Sequence, residues 1–247
     1  MDANSPFIKQ LASSDRKVRD KALESLRSYL RQKSDLNQLE LLKLWKGLFY
    51  CMWMSDRAHT QQQLARDLGS LVVDIPPSAV MPFLEAFWTT MAREWMGIDV
   101  LRMDKFLYLV RIYHRTALQY LSKQHWKNKA QIDEYLRILS DTPLNPTDNK
   151  IPNGMRYHMI DLYVDELEEA GADKEDSDVP VETLLQPLRD LGAKTPTKPV
   201  RKRVKEALED ERVKRWLGEE VEVENDEEEK DAEEQGDDDE EWGGIEE

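Results

Sequence analysis

The stretch Leu44-Trp45-Lys46-Gly47-Leu48-Phe49-Tyr50-Cys51-Met52-Trp53-Met54-Ser55-Asp56-Arg57 decides the fold. A helix so rich in Leu, Trp, Phe and Met cannot be solvated on every face. It must be buried against other helices or offer a face to a partner. Ser55 and Asp56 then supply side-chain acceptors for the first N–H groups of a following helix. The reading is a buried helix, a tight corner and a second helix that runs on through Gln61-Gln62-Gln63-Leu64-Ala65.

Helical periodicity continues on both sides and strand alternation is nearly absent. Toward the N-terminus a short helix is expected from Pro6, a residue suited to a first helical position, behind Ser5 as cap. From Asp15 onward, Val18, Ala22, Leu26, Tyr29 and Leu30 mark one face, with Arg16, Lys17, Arg19, Arg27, Arg31 and Lys33 largely off it. Toward the C-terminus, residues 57–74 turn Leu64, Leu68, Leu71 and Val72 inward. Pro76-Pro77 ends that helix and Ser78 caps the next, over 79–96. After Gly97 a helix over 102–125 aligns Phe106, Val110, Tyr113, Ala117 and Leu121. Helices over 128–140 and 153–170 follow, separated by a loop carrying Thr142-Pro143 and Asn145-Pro146. Successive antiparallel helices with short corners predict an all-α fold, a HEAT-like α-solenoid of antiparallel helical repeats with no clean internal sequence repeat.

The expected organisation is a solenoid domain over 1–170, an acidic linker over 171–180, short helices over 181–217 and an acidic tail over 218–247. The formal net charge of −15 over 247 residues hides this division. Residues 218–247 hold 18 Asp and Glu against one Lys, so the remaining 217 residues carry a net charge of +2. The tail is too charged and too poor in apolar residues to offset its chain entropy by burial, and is expected to be disordered. One cysteine, Cys51, allows no disulfide within the chain. Met1-Asp2-Ala3-Asn4-Ser5-Pro6 lacks the pattern of a signal peptide, and no apolar run approaches the roughly 18 residues of a membrane span. A soluble intracellular protein is expected, with no membrane contact.

Two further stretches complete a pattern with the first: Gly97-Ile98-Asp99-Val100-Leu101-Arg102-Met103-Asp104-Lys105-Phe106, and Gly154-Met155-Arg156-Tyr157-His158-Met159-Ile160-Asp161-Leu162-Tyr163-Val164-Asp165-Glu166-Leu167. In this order the three blocks resemble the ribosomal RNA-processing protein 1 family (nucleolar protein 52 type), over roughly residues 5 to 170. The resemblance implies a non-catalytic assembly factor of the large (60S) ribosomal subunit, located in the nucleolus and nucleus. It would be required for pre-rRNA processing as a scaffold for large-subunit pre-rRNA, other assembly factors and ribosomal proteins. The acidic tail departs from the family, some of whose members carry long basic C-terminal extensions.

The residues themselves carry no catalytic signature. Ten dispersed glycines form no phosphate-cradling loop, and HExxH, paired CxxC and EF-hand patterns are absent. His158, Asp161 and Asp165 share a helical face at i, i+3 and i+7; the ordinary reading is a partly buried histidine beside two solvated or salt-bridged acids. No cofactor, metal or small-molecule substrate is expected, and the chain is read as not an enzyme.

For RNA or particle contact the leading candidates are Arg16, Lys17, Arg19, Lys21, Arg27, Arg31 and Lys33, with Arg57 at the corner. Cations spaced along a helix follow a phosphate backbone without reading sequence; the competing reading is an ordinary solvated face balanced by Asp15, Asp20 and Glu24. A weaker set comprises Arg102, Lys105, Arg111, Arg115, Lys123, Lys127 and Lys129. Arg201, Lys202, Arg203 and Lys205 match a basic nuclear-import segment that preceding prolines would keep extended, and Thr195-Pro196 offers a proline-directed phosphorylation site at Thr195. Trp95 and Trp126, near helix ends, are candidate interface anchors. The rival reading is a helical protein-binding adaptor whose acidic tail chaperones basic ribosomal proteins or histones.

Overall fold

The computed structural model describes residues 6–11, 13–33, 36–123 and 125–219. The Ser5 cap and residues 220–247 of the acidic tail lie outside them. Among the described residues all regular structure is helical: α1 (Pro6–Leu11), α2 (Arg16–Gln32), α3 (Gln38–Trp53), α4 (Ala58–Asp74), α5 (Pro77–Glu94), α6 (Val100–Ser122), α7 (Lys129–Asp141), α8 (Asn153–Glu169), α9 (Val181–Leu184), α10 (Gln186–Lys194), α11 (Lys198–Leu208) and α12 (Glu211–Trp216).

Neighbours alternate. Helix α1 packs on α3, α3 on α5, α5 on α7 and α7 on α10; in a second layer α2 packs on α4, α4 on α6, α6 on α8 and α8 on α11. This two-layer pattern is the HEAT-like α-solenoid expected from the helix lengths. Its centre is the α3 stretch quoted first. Trp45 is 1% exposed, with its ring centroid 4.9–5.1 Å from those of Phe83, Phe87 and Tyr113, and its Nε1 donates to the Phe83 carbonyl at 3.0 Å. Gly69 permits the closest approach between layers' neighbours: a Cβ there would lie 2.6 Å from Ile112 Cγ2, so α4 meets α6 without a side chain between them.

Several boundaries differ from expectation for local reasons. Helix α5 starts at Pro77 behind Pro76, which places Ser78 inside the first turn rather than at the cap. Helix α6 starts at Val100 because the Asp99 carboxylate accepts from Arg102 N at 3.1 Å. The expected helix over 200–217 divides into α11 and α12 at Asp210, whose carboxylate caps Arg212 N at 2.9 Å. In α2 it is Arg19, not Val18, that turns inward; Val18 is 36% exposed and Arg19 5%.

Residues 181–213 contribute Val181, Leu184, Leu185, Leu188, Leu191, Val200, Val204 and Val213 to the same hydrophobic cluster as α2 and α3. Between α8 and α9, Gly171 adopts φ 98°, Ala172 is buried, and Tyr163 Oη donates to the Leu184 carbonyl at 2.6 Å.

Candidate particle-contact surfaces

The second layer is laced by charge, helix to helix. Arg27 and Arg31 of α2 reach Asp74 of α4 at 2.5 and 2.7 Å. Arg111 and Arg115 of α6 hold Glu166 of α8 at 2.7 and 2.6 Å, with Arg111 also on Asp165. Arg203 of α11 reaches Asp161 at 2.5 Å, and Arg212 of α12 reaches Asp165 and Glu168. These guanidiniums are tied up as crosspieces between neighbouring helices.

That lacing thins the expected α2 surface. Arg19 Nη1 donates to the carbonyls of Ser13 and Ser14 at 2.8 and 2.9 Å, closing the turn before α2. Arg16 pairs with Asp20 at 3.3 Å, and Lys33 is the C-cap residue. Lys17 and Lys21 are exposed and form no ion pair with a described residue. Arg57 is exposed at the start of α4, beside which Arg16 and Arg19 face Thr60 and Gln63. The structure therefore leaves Lys17, Lys21 and Arg57 as the accessible cations of this end.

The 55–57 corner is built differently from the capping expected. Arg57 is the N-cap residue of α4 without a side-chain cap, and Ser55 is fully buried with no partner for its Oγ. The corner is held by donors to its carbonyls: Lys105 Nζ donates to Trp53 O and Ser55 O, both at 2.7 Å, and Gln61 Nε2 donates to Ser55 O at 2.8 Å. Burial pushes the Lys105 pKa down to about 8, against the pull of Asp56. Arg102 stacks over Trp53 at 4.8 Å while pairing with Asp99. Lys105 and the Arg102, Arg111 and Arg115 guanidiniums are thus structural, leaving Lys123 and Lys127 exposed from the weaker basic set.

The basic segment is helical, not extended. Pro199 sits in the first turn of α11, where a missing N–H costs nothing. Lys202 and Lys205 lie on the exposed side, within 3.4 and 3.5 Å of Glu206 and Glu209. Arg201 Nη1 donates to the Thr195 carbonyl at 2.8 Å. Thr195 is 4% exposed, so a kinase would need this corner to open. His158 Nε2 faces the Leu107 carbonyl at 2.9 Å, and Asp161 and Asp165 face arginines. Trp95 and Trp126 are buried, which removes them as exposed anchors.

One surface escaped the sequence. Met96, Val100 and Leu101 are 81%, 88% and 94% exposed at the α5–α6 corner. Beside them a cleft of about 440 Å³ opens between Trp95, the loop before α8 and the α10–α11 corner. The only sequence signal was that Val100 and Leu101 precede the periodic part of α6.

Two stacked helical layers with solvent-facing corners and cross-helix ion pairs define an α-solenoid protein, a class built to present extended surfaces. Comparison with known proteins then places it. The chain belongs to the family described as nucleolar protein Nop52, whose model matches residues 2–244. It is 42% identical over 171 residues to human ribosomal RNA processing protein 1 homolog B, covering 67% of this chain and 22% of that protein. Against human homolog A it is 40% identical over 174 residues, 68% of this chain and 37% of the other. Against the Caenorhabditis elegans homolog it is 32% identical over 169 residues, 67% and 42% respectively. The chain thus spans less than half the length of these relatives.

Proposed function

We propose that this chain is a non-catalytic assembly factor of the large (60S) ribosomal subunit, serving pre-rRNA processing as a scaffold for pre-rRNA and other assembly factors. The observation that carries the reading is membership of a nucleolar family along nearly the whole chain, with relatives named for ribosomal RNA processing. The solenoid supports a scaffold role, because its two layers leave helix faces and corners open along its length. RNA contact is assigned to Lys17, Lys21 and Arg57, the cations at the α2–α4 end that the lacing does not consume. Such a contact would be sequence-independent and salt-sensitive. Arg201, Lys202, Arg203 and Lys205 are assigned to nuclear import from the accessible side of α11.

The test is UV crosslinking in cells, comparing the native chain with the triple variant K17E/K21E/R57E. Crosslinks from the α2–α4 end to large-subunit pre-rRNA, lost in the variant while the helical content stays unchanged, support the reading. Sedimentation with pre-ribosomes without any RNA crosslink would replace it with a protein-only adaptor.

A further inference from the structure

The cleft beside Trp95 has an apolar lining and a positive rim. Its lining includes Trp95, Met96, Pro146, Ile151, Pro152 and Pro196, drawn from three separate corners at one end of the solenoid. Arg156 lies against it, 5% exposed, and spends its guanidinium on the carbonyls of Asn145, Asp148 and Ile151 and on Asn153 Oδ1. No carboxylate bonds to it. Lys150 and Lys198 flank the lining residues Asn149, Ile151 and Thr197, are exposed, and form no ion pair with a described residue. The nearby acids are engaged: Glu94 with Arg93, Asp99 with Arg102, and Asp148 Oδ1 with Lys150 N. A site of this composition selects an acidic peptide with an apolar anchor.

This chain contains such a peptide. Asp237-Asp238-Asp239-Glu240-Glu241-Trp242-Gly243-Gly244-Ile245 sets five acids beside a tryptophan and an isoleucine. Its reach suffices. Arg212 fastens α12 near the C-terminal end of α8, by Asp165 and Glu168, whereas the cleft lies at the N-terminal end, by Gly154. The 17 residues of α8 span about 26 Å. The chain from Glu219 to Trp242 can span up to about 75 Å when extended. Being tethered, the peptide meets the cleft at an effective concentration on the order of millimolar, so even a weak contact is populated.

We propose that residues 237–245 occupy this cleft, with Trp242 against the Trp95–Pro152 wall and the acids at Lys150 and Lys198. The cleft is then covered by the chain's own acidic segment, and a basic partner that takes up that segment uncovers it.

The test is zero-length carbodiimide crosslinking of the full chain, which joins lysine amines to carboxylates in contact, followed by peptide mapping of the monomer. Links from Lys150 and Lys198 to 237–241 are expected, reduced severalfold in W242A and retained in W242F. Neither substitution touches the described core. Three results would overturn the proposal: no such links, links spread equally to Lys17 and Lys21 and unchanged in W242A, or links confined to dimers. The first leaves the cleft without this occupant, the second reduces it to diffuse charge attraction, and the third makes a second copy the occupant.

Discussion

His114 in α6 is fully buried, with Nδ1 2.9 Å from Tyr135 Oη and its ring 4.9 Å from that of Tyr163. Burial pushes its pKa down to about 4, with the Glu166 charge pulling the other way. In the unfolded chain the imidazole takes up its proton near pH 6.5. Between pH 6.5 and 4 the unfolded state therefore binds a proton that the native state refuses, so stability falls as the pH falls through that window. The loss reaches about 3 kcal/mol at the lower end. Urea unfolding at pH 7 and pH 4.5 measures it, and H114F, neutral at every pH, should flatten that part of the slope. An unchanged slope in H114F would clear His114 of the effect. In the sequence His114 stands alone, with no partner at helical spacing. Its two tyrosines come from α7 and α8, so its burial was not legible there.

At the scale of elements, the junction of α6 and α8 turns on Glu166, 1% exposed beneath two guanidiniums. Separately, the i, i+4 spacing of Arg111 and Arg115 reads as an open basic face. The acid that claims them lies more than fifty residues away in sequence and close in space only because α6 and α8 are neighbours in one layer. E166Q keeps the shape and removes the charge, stranding both arginines. It should cost about 3 kcal/mol or more in urea unfolding, in line with breaking a buried ion pair. A cost under about 1 kcal/mol would show that solvent satisfies the guanidiniums instead. The same logic explains the α2 surface. Helix periodicity located its cations correctly on one element, and Asp74 of the next element withdrew two of them.

Across the whole molecule the C-terminal hairpin decides how the chain is divided. Helix α11 covers α8 and α10 covers α7, and Gly192 lets the hairpin close: a Cβ there would lie 2.8 Å from Val204 Cγ1. A chain ending at residue 170 should therefore melt at a lower temperature and bind a hydrophobic dye, because Tyr163 and Ile160 lose their cover. A chain ending at residue 219 should melt with the full-length protein in one transition. Equal melting of all three would make 1–170 an independent domain. What the sequence determined alone is the helical class, the rough length of each helix, the breaks at Pro76-Pro77, Gly97 and Asn145-Pro146, and the family. Those follow from local rules: apolar spacing, proline's missing N–H and the wording of three short blocks. Only the tertiary structure decided which cations are spent, which tryptophans are hidden and where an apolar cleft opens. Each of those depends on side chains from helices far apart in sequence meeting across the layers, and no local pattern records such a meeting.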